Sequence, residues 1–76
     1  MTLTGRQLMY LRRLYKACGP KPGTCAESRA VARAMGATND ERMDIEEALA
    51  RLGFIEVGER PGTVALTDAG RKRALR

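Results

Sequence analysis

The stretch RLGFIEVGERPGTVALTDAGRKRALR, residues 51–76, contains two short β-like segments on either side of a tight turn. In FIEV (54–57) and TVALT (63–67) the apolar side chains alternate with others, which is typical of half-buried strands. RPGT between them suits a type II turn, because proline fixes φ at its second position and glycine accepts a positive φ at its third. This pattern predicts a two-stranded hairpin with Arg60 at its tip. Four side chains are expected to anchor the hairpin on the core: Ile55, Val57, Val64 and Leu66.

A Thr-x-x-Glu/Gln pattern occurs three times before the hairpin, as TGRQ (4–7), TCAE (24–27) and TNDE (38–41). In such a capping box the threonine hydroxyl accepts from the backbone N–H three residues on, and the Glu or Gln side chain reaches back to the threonine N–H. Glycines follow each apolar run and mark the helix ends. We therefore expect helices over residues 5–18, 25–35 and 39–52, followed by a short last helix capped by Thr67.

The spacing of apolar residues predicts which face of each helix is buried. For the first helix this face is Leu8, Leu11, Tyr15 and Cys18, with Leu14 at its margin. For the second it is Ala30, Val31, Ala34 and Met35, which leaves Ser28, Arg29 and Arg33 toward solvent. For the third it is Ile45, Ala48, Leu49 and Leu52.

The charge of the chain is unevenly distributed. Its 76 residues suffice for one domain, residues 1–76, and carry a net charge of +5. Residues 1–25 have five basic and no acidic side chains, residues 26–52 have four arginines and six acids, and residues 53–76 have five basic and three acidic side chains. Basic ends therefore bracket an acidic middle. The excess of basic over acidic residues in the whole chain favours a polyanionic partner, although lysine and arginine are also ordinary solubilising groups.

The remaining composition argues against catalysis, metal binding and export. There is no histidine, Ser28 has no base near it in the sequence, and no glycine spacing forms a phosphate-binding loop. Cys18 and Cys25 are too few for a structural zinc site, and two free thiols are favoured over a disulfide in a cytosolic protein. No apolar run approaches the roughly 20 residues of a membrane span, and the N-terminus lacks the apolar core of a signal peptide. We expect a cytoplasmic protein without enzymatic activity, cofactor, metal or membrane association.

The segments ALARLGFIEV and VALTDAGRKRA resemble the Leu-x-x-Leu-Gly-Leu-Ile and Leu-Thr-x-x-Gly pattern of MarR-type and related bacterial and archaeal regulators. The resemblance covers residues 49–73 by motif and the rest by the order of elements. It implies an α+β, mainly α, winged helix-turn-helix fold with three helices, a two-stranded β-hairpin wing and a short C-terminal helix. The long flanking helices that build the dimer of full MarR-type regulators are missing here, so their dimer and ligand pocket are not carried over. We expect a monomer or a small homodimer.

The resemblance also implies how DNA would be contacted. In the family the N-terminal half of the third helix lies in the major groove, and a basic wing residue often enters the minor groove. Here the residues at these positions, together with neighbours that can hold phosphates, are Ser28, Arg29, Arg33, Asn39, Arg42, Met43, Glu46 and Arg60. A solvated charge accounts equally well for any one of these arginines. The implied function is a sequence-specific, double-stranded DNA-binding transcriptional regulator or accessory factor.

The acidity of the third helix supports an alternative. Its carboxylates would together face a polyanion poorly, although Glu41 is expected to complete its capping box and Glu47 to pair with Arg51 one turn on. Winged helices also serve as protein-binding modules, since a fold does not determine a function. The alternative is therefore a protein–protein interaction module whose acidic third helix, through Glu46 and Glu47, binds a basic partner.

Overall fold

A computed structural model of the chain describes residues 2–19 and 24–76. Within these ranges the order of elements is α1 (Gly5–Cys18), β1 (Cys25–Glu27), α2 (Ser28–Ala34), α3 (Asn39–Arg51), β2 (Ile55–Val57), β3 (Thr63–Leu66) and α4 (Asp68–Ala74). The described part is a mainly helical α+β fold with a three-stranded antiparallel sheet. None of its helices is both long enough and apolar enough to cross a membrane.

Threonine caps begin three of the helices. At α1 the Thr4 hydroxyl accepts from the Gln7 N–H at 3.1 Å, and the Gln7 side chain accepts from the Thr4 N–H at 3.0 Å, which completes a capping box. Thr38 and Thr67 each accept from the N–H three residues on, at the starts of α3 and α4. The predictions for these three helices are confirmed, with Glu41 as the exception, because its carboxylate binds α1 instead of closing a box.

The second threonine pattern, TCAE, does not begin a helix, so the helix predicted over residues 25–35 is wrong at its start. Cys25–Glu27 forms β1, which runs antiparallel to β3, and α2 begins only at Ser28. The Thr24 hydroxyl donates to the carbonyl oxygen of Cys18 at 2.7 Å. The physical reason is that a strand ladder pairs backbone groups along the whole segment, whereas a capping box satisfies only two donors.

The sheet has three strands in the order β1-β3-β2. β2 and β3 form the predicted hairpin, and β1 adds a third strand that was not predicted. β3 is the central strand and all four of its residues are buried. Val57 was expected on the core but is 85% exposed, although Ile55 on the same strand is buried. The hairpin therefore extends past the core at its turn end, where residues 59–62 are exposed as well.

The turn itself has the predicted geometry. Gly62 has a φ of 78°, and the Thr63 N–H donates to the Arg60 carbonyl oxygen at 3.2 Å, as a type II turn requires. A second backbone bond, from the Ser28 N–H to the Gly62 carbonyl oxygen at 2.9 Å, holds this turn against the start of α2.

The core is built around α1, which packs on α2, α3, α4, β1 and β3. The buried positions of Leu11 and Cys18 on α1 are confirmed, but Tyr10 and Leu14 are buried with them, while Leu8 and Tyr15 lie half-buried at the margins. At the second helix Val31 and Met35 are buried as predicted, whereas Ala30 and Ala34 are exposed. Ser28 and Ala32 are buried instead. α3 buries Ile45 and Leu49 as expected. The shift on α1 follows from its neighbours, since a helix contacted from several sides buries a broad face.

Gly70 in α4 gives a direct test of this packing. A Cβ atom at this position would overlap the Phe54 carbonyl oxygen and lie 3.1 Å from the Leu66 Cδ2 atom. Because backbone cannot move aside as a flexible side chain can, we expect Gly70→Ala to lower the free energy of unfolding by about 1–3 kcal/mol in urea denaturation. Gly5→Ala is the control, because a Cβ there meets nothing within 4 Å. It should be neutral or stabilise by up to about 1 kcal/mol. Equal stability of the two variants would contradict this account.

Candidate nucleic-acid interface

A cluster of four polar side chains joins α1, α2 and α3. One oxygen of the Glu46 carboxylate accepts from the hydroxyls of Tyr10 (α1) and Ser28 (α2). The other accepts from Nη1 of Arg42 (α3) at 3.0 Å, and the same Nη1 donates to the Ser28 hydroxyl at 2.7 Å. We call these four residues the Glu46 network. A single carboxylate thus fixes where α1, α2 and α3 meet.

The Glu46 network is largely withdrawn from solvent. Burial of the Tyr10 ring, and then its hydrogen bond to Glu46, raise the pKa of the Tyr10 phenol far above its usual range, so the phenol stays neutral and donates. The side chains of Arg42 and Glu46 are 15% and 18% exposed. Ser28 was expected to face solvent and is 4% exposed, because it lies at the β1–α2 junction where the chain turns inward. Ser28 and Glu46 are therefore structural links, and not the free surface groups that the sequence predicted.

The acidic face of α3 is partly neutralised within the molecule. Three of its five carboxylates form ion pairs: Glu41 with Arg6 at 2.7 Å, Glu46 with Arg42 at 3.0 Å, and Glu47 with Arg51 at 2.6 Å. The hydrogen bonds from Arg6 hold the pKa of Glu41 below its usual range. Among the described residues, only Asp40 and Asp44 of this face have no ion-pair partner. The predicted pairing of Glu47 with Arg51 is confirmed.

A cleft of about 530 Å³ lies between α2, α3 and the hairpin turn. Its lining is Glu27, Ser28, Arg29, Arg33, Arg42, Pro61 and Gly62. Because Arg42 is paired with Glu46, the charge of this lining depends on Arg29 and Arg33 against Glu27, and it is positive. The Nε atom of Arg42 is buried and has no hydrogen-bond partner among the described residues. The cleft is therefore suited to an anionic ligand.

A second hollow, of about 350 Å³, continues the cleft toward the start of α3. It is lined by Arg29, Ala32, Arg33, Ala37 and Asn39, so Arg29 and Arg33 border both depressions. We call the combined surface, from Asn39 through the two arginines to Pro61 and Gly62, the arginine strip. Its two end segments come from the start of α3 and from the hairpin turn.

The arginine strip brings together part of the predicted site. Arg29, Arg33 and Asn39 are exposed along it, Arg42 forms one wall, and Arg60 is exposed next to Pro61. Met43 is 58% exposed on α3 but lines neither depression.

Sequence reasoning missed the contribution of Tyr10 and that of the turn backbone beside α2. Tyr10, Leu14 and Cys18 follow one another at intervals of four residues, which was a signal for the buried position of Tyr10. No local signal pointed to the turn, because the bond between Ser28 and Gly62 joins residues far apart in the chain.

Comparison of the chain with protein-family models, with curated proteins and with solved structures found no match. The described residues include no group of three or more cysteine, aspartate or glutamate side chains that could hold a metal ion. Cys18 and Cys25 are free thiols, the first buried and the second half-buried. The function is therefore inferred from the residues and the geometry of this chain.

Removal of the Glu46 carboxylate should destabilise the fold. Glu46→Ala deprives three donors of their acceptor and leaves Arg42 without a counter-charge in a poorly solvated place. We expect a loss of about 2–4 kcal/mol in the free energy of unfolding, measured by urea denaturation. Glu47→Ala, which breaks an exposed pair on the same helix, is the control and should cost less than about 0.5 kcal/mol. Similar losses in both variants would show that the network does not hold the helices.

The raised pKa of Tyr10 predicts a loss of stability at high pH. Above about pH 10 the unfolded chain releases the Tyr10 proton while the folded chain keeps it. The unfolded state then binds fewer protons, so the free energy of unfolding falls as pH rises. In urea denaturation at several pH values between about 9 and 11, Tyr10→Phe should show a shallower fall than the parent chain. Tyr15→Phe, outside the network, should keep the parent slope. Parallel curves for the parent and Tyr10→Phe would refute the assignment.

Proposed function

We propose that this chain is a winged helix-turn-helix domain that binds double-stranded DNA, as a sequence-specific transcriptional regulator or accessory factor. The observation that carries the proposal is the arginine strip, in which Arg29, Arg33 and Arg42 converge from two helices beside the hairpin turn. The motif resemblance over residues 49–73 supports the same assignment. Phosphate contacts by arginine supply most of the affinity in protein–DNA complexes, and such a cluster is suited to them.

The arginine strip and two exposed residues outside its lining, Met43 and Arg60, would have different roles. Arg29 and Arg33 are exposed and free of ion pairs among the described residues, so they can neutralise phosphates. Asn39 and Met43 are exposed in the N-terminal half of α3, where an asparagine can pair with adenine and a methionine can contact apolar base atoms. Arg60 on the projecting turn would enter the minor groove. Arg42 is paired with Glu46 and bonded to Ser28, so it would line the wall of the cleft and would act neither as a free charge for a phosphate nor as a base reader.

The internal ion pairs of α3 remove much of the electrostatic objection to this proposal. Glu41, Glu46 and Glu47 are each compensated by an arginine of the same chain. Asp40 lies in the first turn of α3, where a carboxylate complements the positive end of the helix dipole. The repulsion between α3 and a polyanion is therefore smaller than its five carboxylates suggest.

One observation favours the second candidate, a protein–protein interaction module. Met43 is 58% exposed and lies on α3 between Asp40 and Asp44, which have no ion-pair partner among the described residues. An apolar side chain flanked by free carboxylates is suited to a basic protein partner. Glu46 would not take part in this contact, since its carboxylate is used within the network.

A salt-dependent titration on random-sequence duplex DNA tests the proposal. The logarithm of the affinity should fall with the logarithm of salt concentration by about 0.9 for each phosphate neutralised. The double variant Arg29→Ala/Arg33→Ala should bind more weakly and lower this slope by about 2, the value for two lost contacts. Lys72→Ala, an exposed cation on α4 outside the arginine strip, is the control and should retain the parent slope. A flat salt response, or no binding to any duplex at low salt, would exclude DNA as the ligand.

Arg60→Ala in the same titration separates the two candidates. On the DNA proposal it should lose about 1–3 kcal/mol of binding energy if Arg60 makes a groove contact. Met43→Ala should then weaken binding to specific sequences and leave random-sequence binding nearly unchanged. If Arg60→Ala binds as the parent does at every salt concentration, the turn is not a DNA contact and the protein-binding function is favoured.

A further inference from the structure

We propose that the outer face of α1 and α2 binds an acidic amphipathic helix of another protein. The face consists of Met9, Arg12, Arg13, Lys16, Ala17, Ala30 and Ala34, all of them exposed. We call it the α1–α2 face. It is a second interaction surface, and it goes beyond the DNA binding proposed above.

The first argument is uncompensated charge. α1 carries four basic residues and no acidic one. Arg6 is bound to Glu41, whereas Arg12, Arg13 and Lys16 form no ion pair within residues 2–19 and 24–76. Arg12 donates to the main-chain oxygen of Arg76 at 2.7 Å. Among the described residues, Arg13 and Lys16, which are neighbours on α1, have no counter-charge, and an acidic ligand would supply one.

The second argument is the shape and chemistry of the surface beneath these cations. A hollow of about 480 Å³ lies along α1, with Leu8 and Met9 in its lining. Another hollow, of about 230 Å³, lies between α1 and α2 and is lined mainly by small apolar residues, among them Ala17, Ala30 and Ala34. Arg13 and Lys16 border both hollows. Apolar side chains of a ligand can thus be buried on either side of two positive charges.

These features favour an acidic amphipathic helix over a single-stranded nucleic acid. A groove between two helices accommodates the apolar face of a third helix, whose side chains at positions i, i+3, i+4 and i+7 fill the hollows. Carboxylates beside that apolar face would meet Arg13 and Lys16. Single-stranded nucleic acids need aromatic side chains on which bases stack, and neither hollow has an aromatic residue in its lining.

The α1–α2 face is separate from the arginine strip. No residue in the lining of its two hollows belongs to the lining of the cleft or of the hollow beside α3. On α2, Ala30 and Ala34 belong to the α1–α2 face, whereas Arg29 and Arg33 belong to the arginine strip. Each surface can therefore be altered without changing a residue in the lining of the other.

The experiment measures binding of a fluorescent amphipathic peptide of about four helical turns, with leucines at the i, i+3, i+4 and i+7 positions and glutamates beside them. We expect the full chain to bind it with an affinity that falls as salt rises. The charge-reversal variant Arg13→Glu/Lys16→Glu should weaken binding roughly tenfold or more. Ala34→Glu, which places a carboxylate in the hollow between α1 and α2, should independently weaken binding of the peptide. Lys72→Glu makes the same kind of charge change on α4 and should leave the affinity unchanged.

Several results would overturn the proposal. A peptide with the same composition but a scrambled order must bind much more weakly, because equal binding would mean simple charge attraction. Loss of random duplex DNA binding in Arg13→Glu/Lys16→Glu would make this face a nucleic-acid surface. A dimer of the parent chain in sedimentation, lost in that variant, would make a second copy the occupant. Arg29→Ala/Arg33→Ala must bind the peptide as the parent does, which keeps this test independent of the DNA proposal.

Discussion

The carboxylate of Glu46 is the contact on which the arrangement of α1, α2 and α3 depends. It is reached by Tyr10 from α1, by Ser28 from α2 and by Arg42 from α3 itself. A domain of 76 residues has a thin apolar core, so a polar cluster that fixes helix positions has a large share in defining the structure. The same cluster places Arg42 at the wall of the cleft and the start of α2 beside the turn. The geometry of the arginine strip is therefore a consequence of an internal contact.

Much of the fold could be predicted because its signals are local. Thr4, Thr38 and Thr67 cap helices through bonds to residues three positions away, and the turn at Pro61 and Gly62 needs only its own backbone angles. β1 could not be predicted, because its three residues become a strand only through pairing with β3, about forty positions later in the chain. Its TCAE pattern satisfies the rule for a helix start equally well, and nothing within the segment decides between the two structures.

The same distinction between local and long-range signals applies to the residues of the candidate site. Arg29, Arg33, Asn39 and Arg60 are exposed as the sequence predicted, since an isolated charged or polar residue on a helix surface or a turn is normally solvated. Ser28, Arg42 and Glu46 were assigned to the surface, but their partners come from three different helices. Helical periodicity reports the direction of a side chain on its own helix and contains no information on which polar group will be opposite. Buried polar clusters are thus the part of a site that a single sequence describes least well.

The bond between the Ser28 N–H and the Gly62 carbonyl oxygen has a consequence for any ligand of the cleft. A hairpin turn without contacts to the rest of the protein would become ordered only when its ligand binds. This ordering costs about 1–2 kcal/mol of free energy for each backbone residue. Here the turn and the start of α2 are already joined when the chain has folded. The turn therefore loses its conformational entropy during folding and not during binding. A larger part of the energy of its contacts with a ligand then contributes to affinity. A ligand that contacts both the turn and the start of α2 would therefore meet two backbone segments whose relative position this bond has already set.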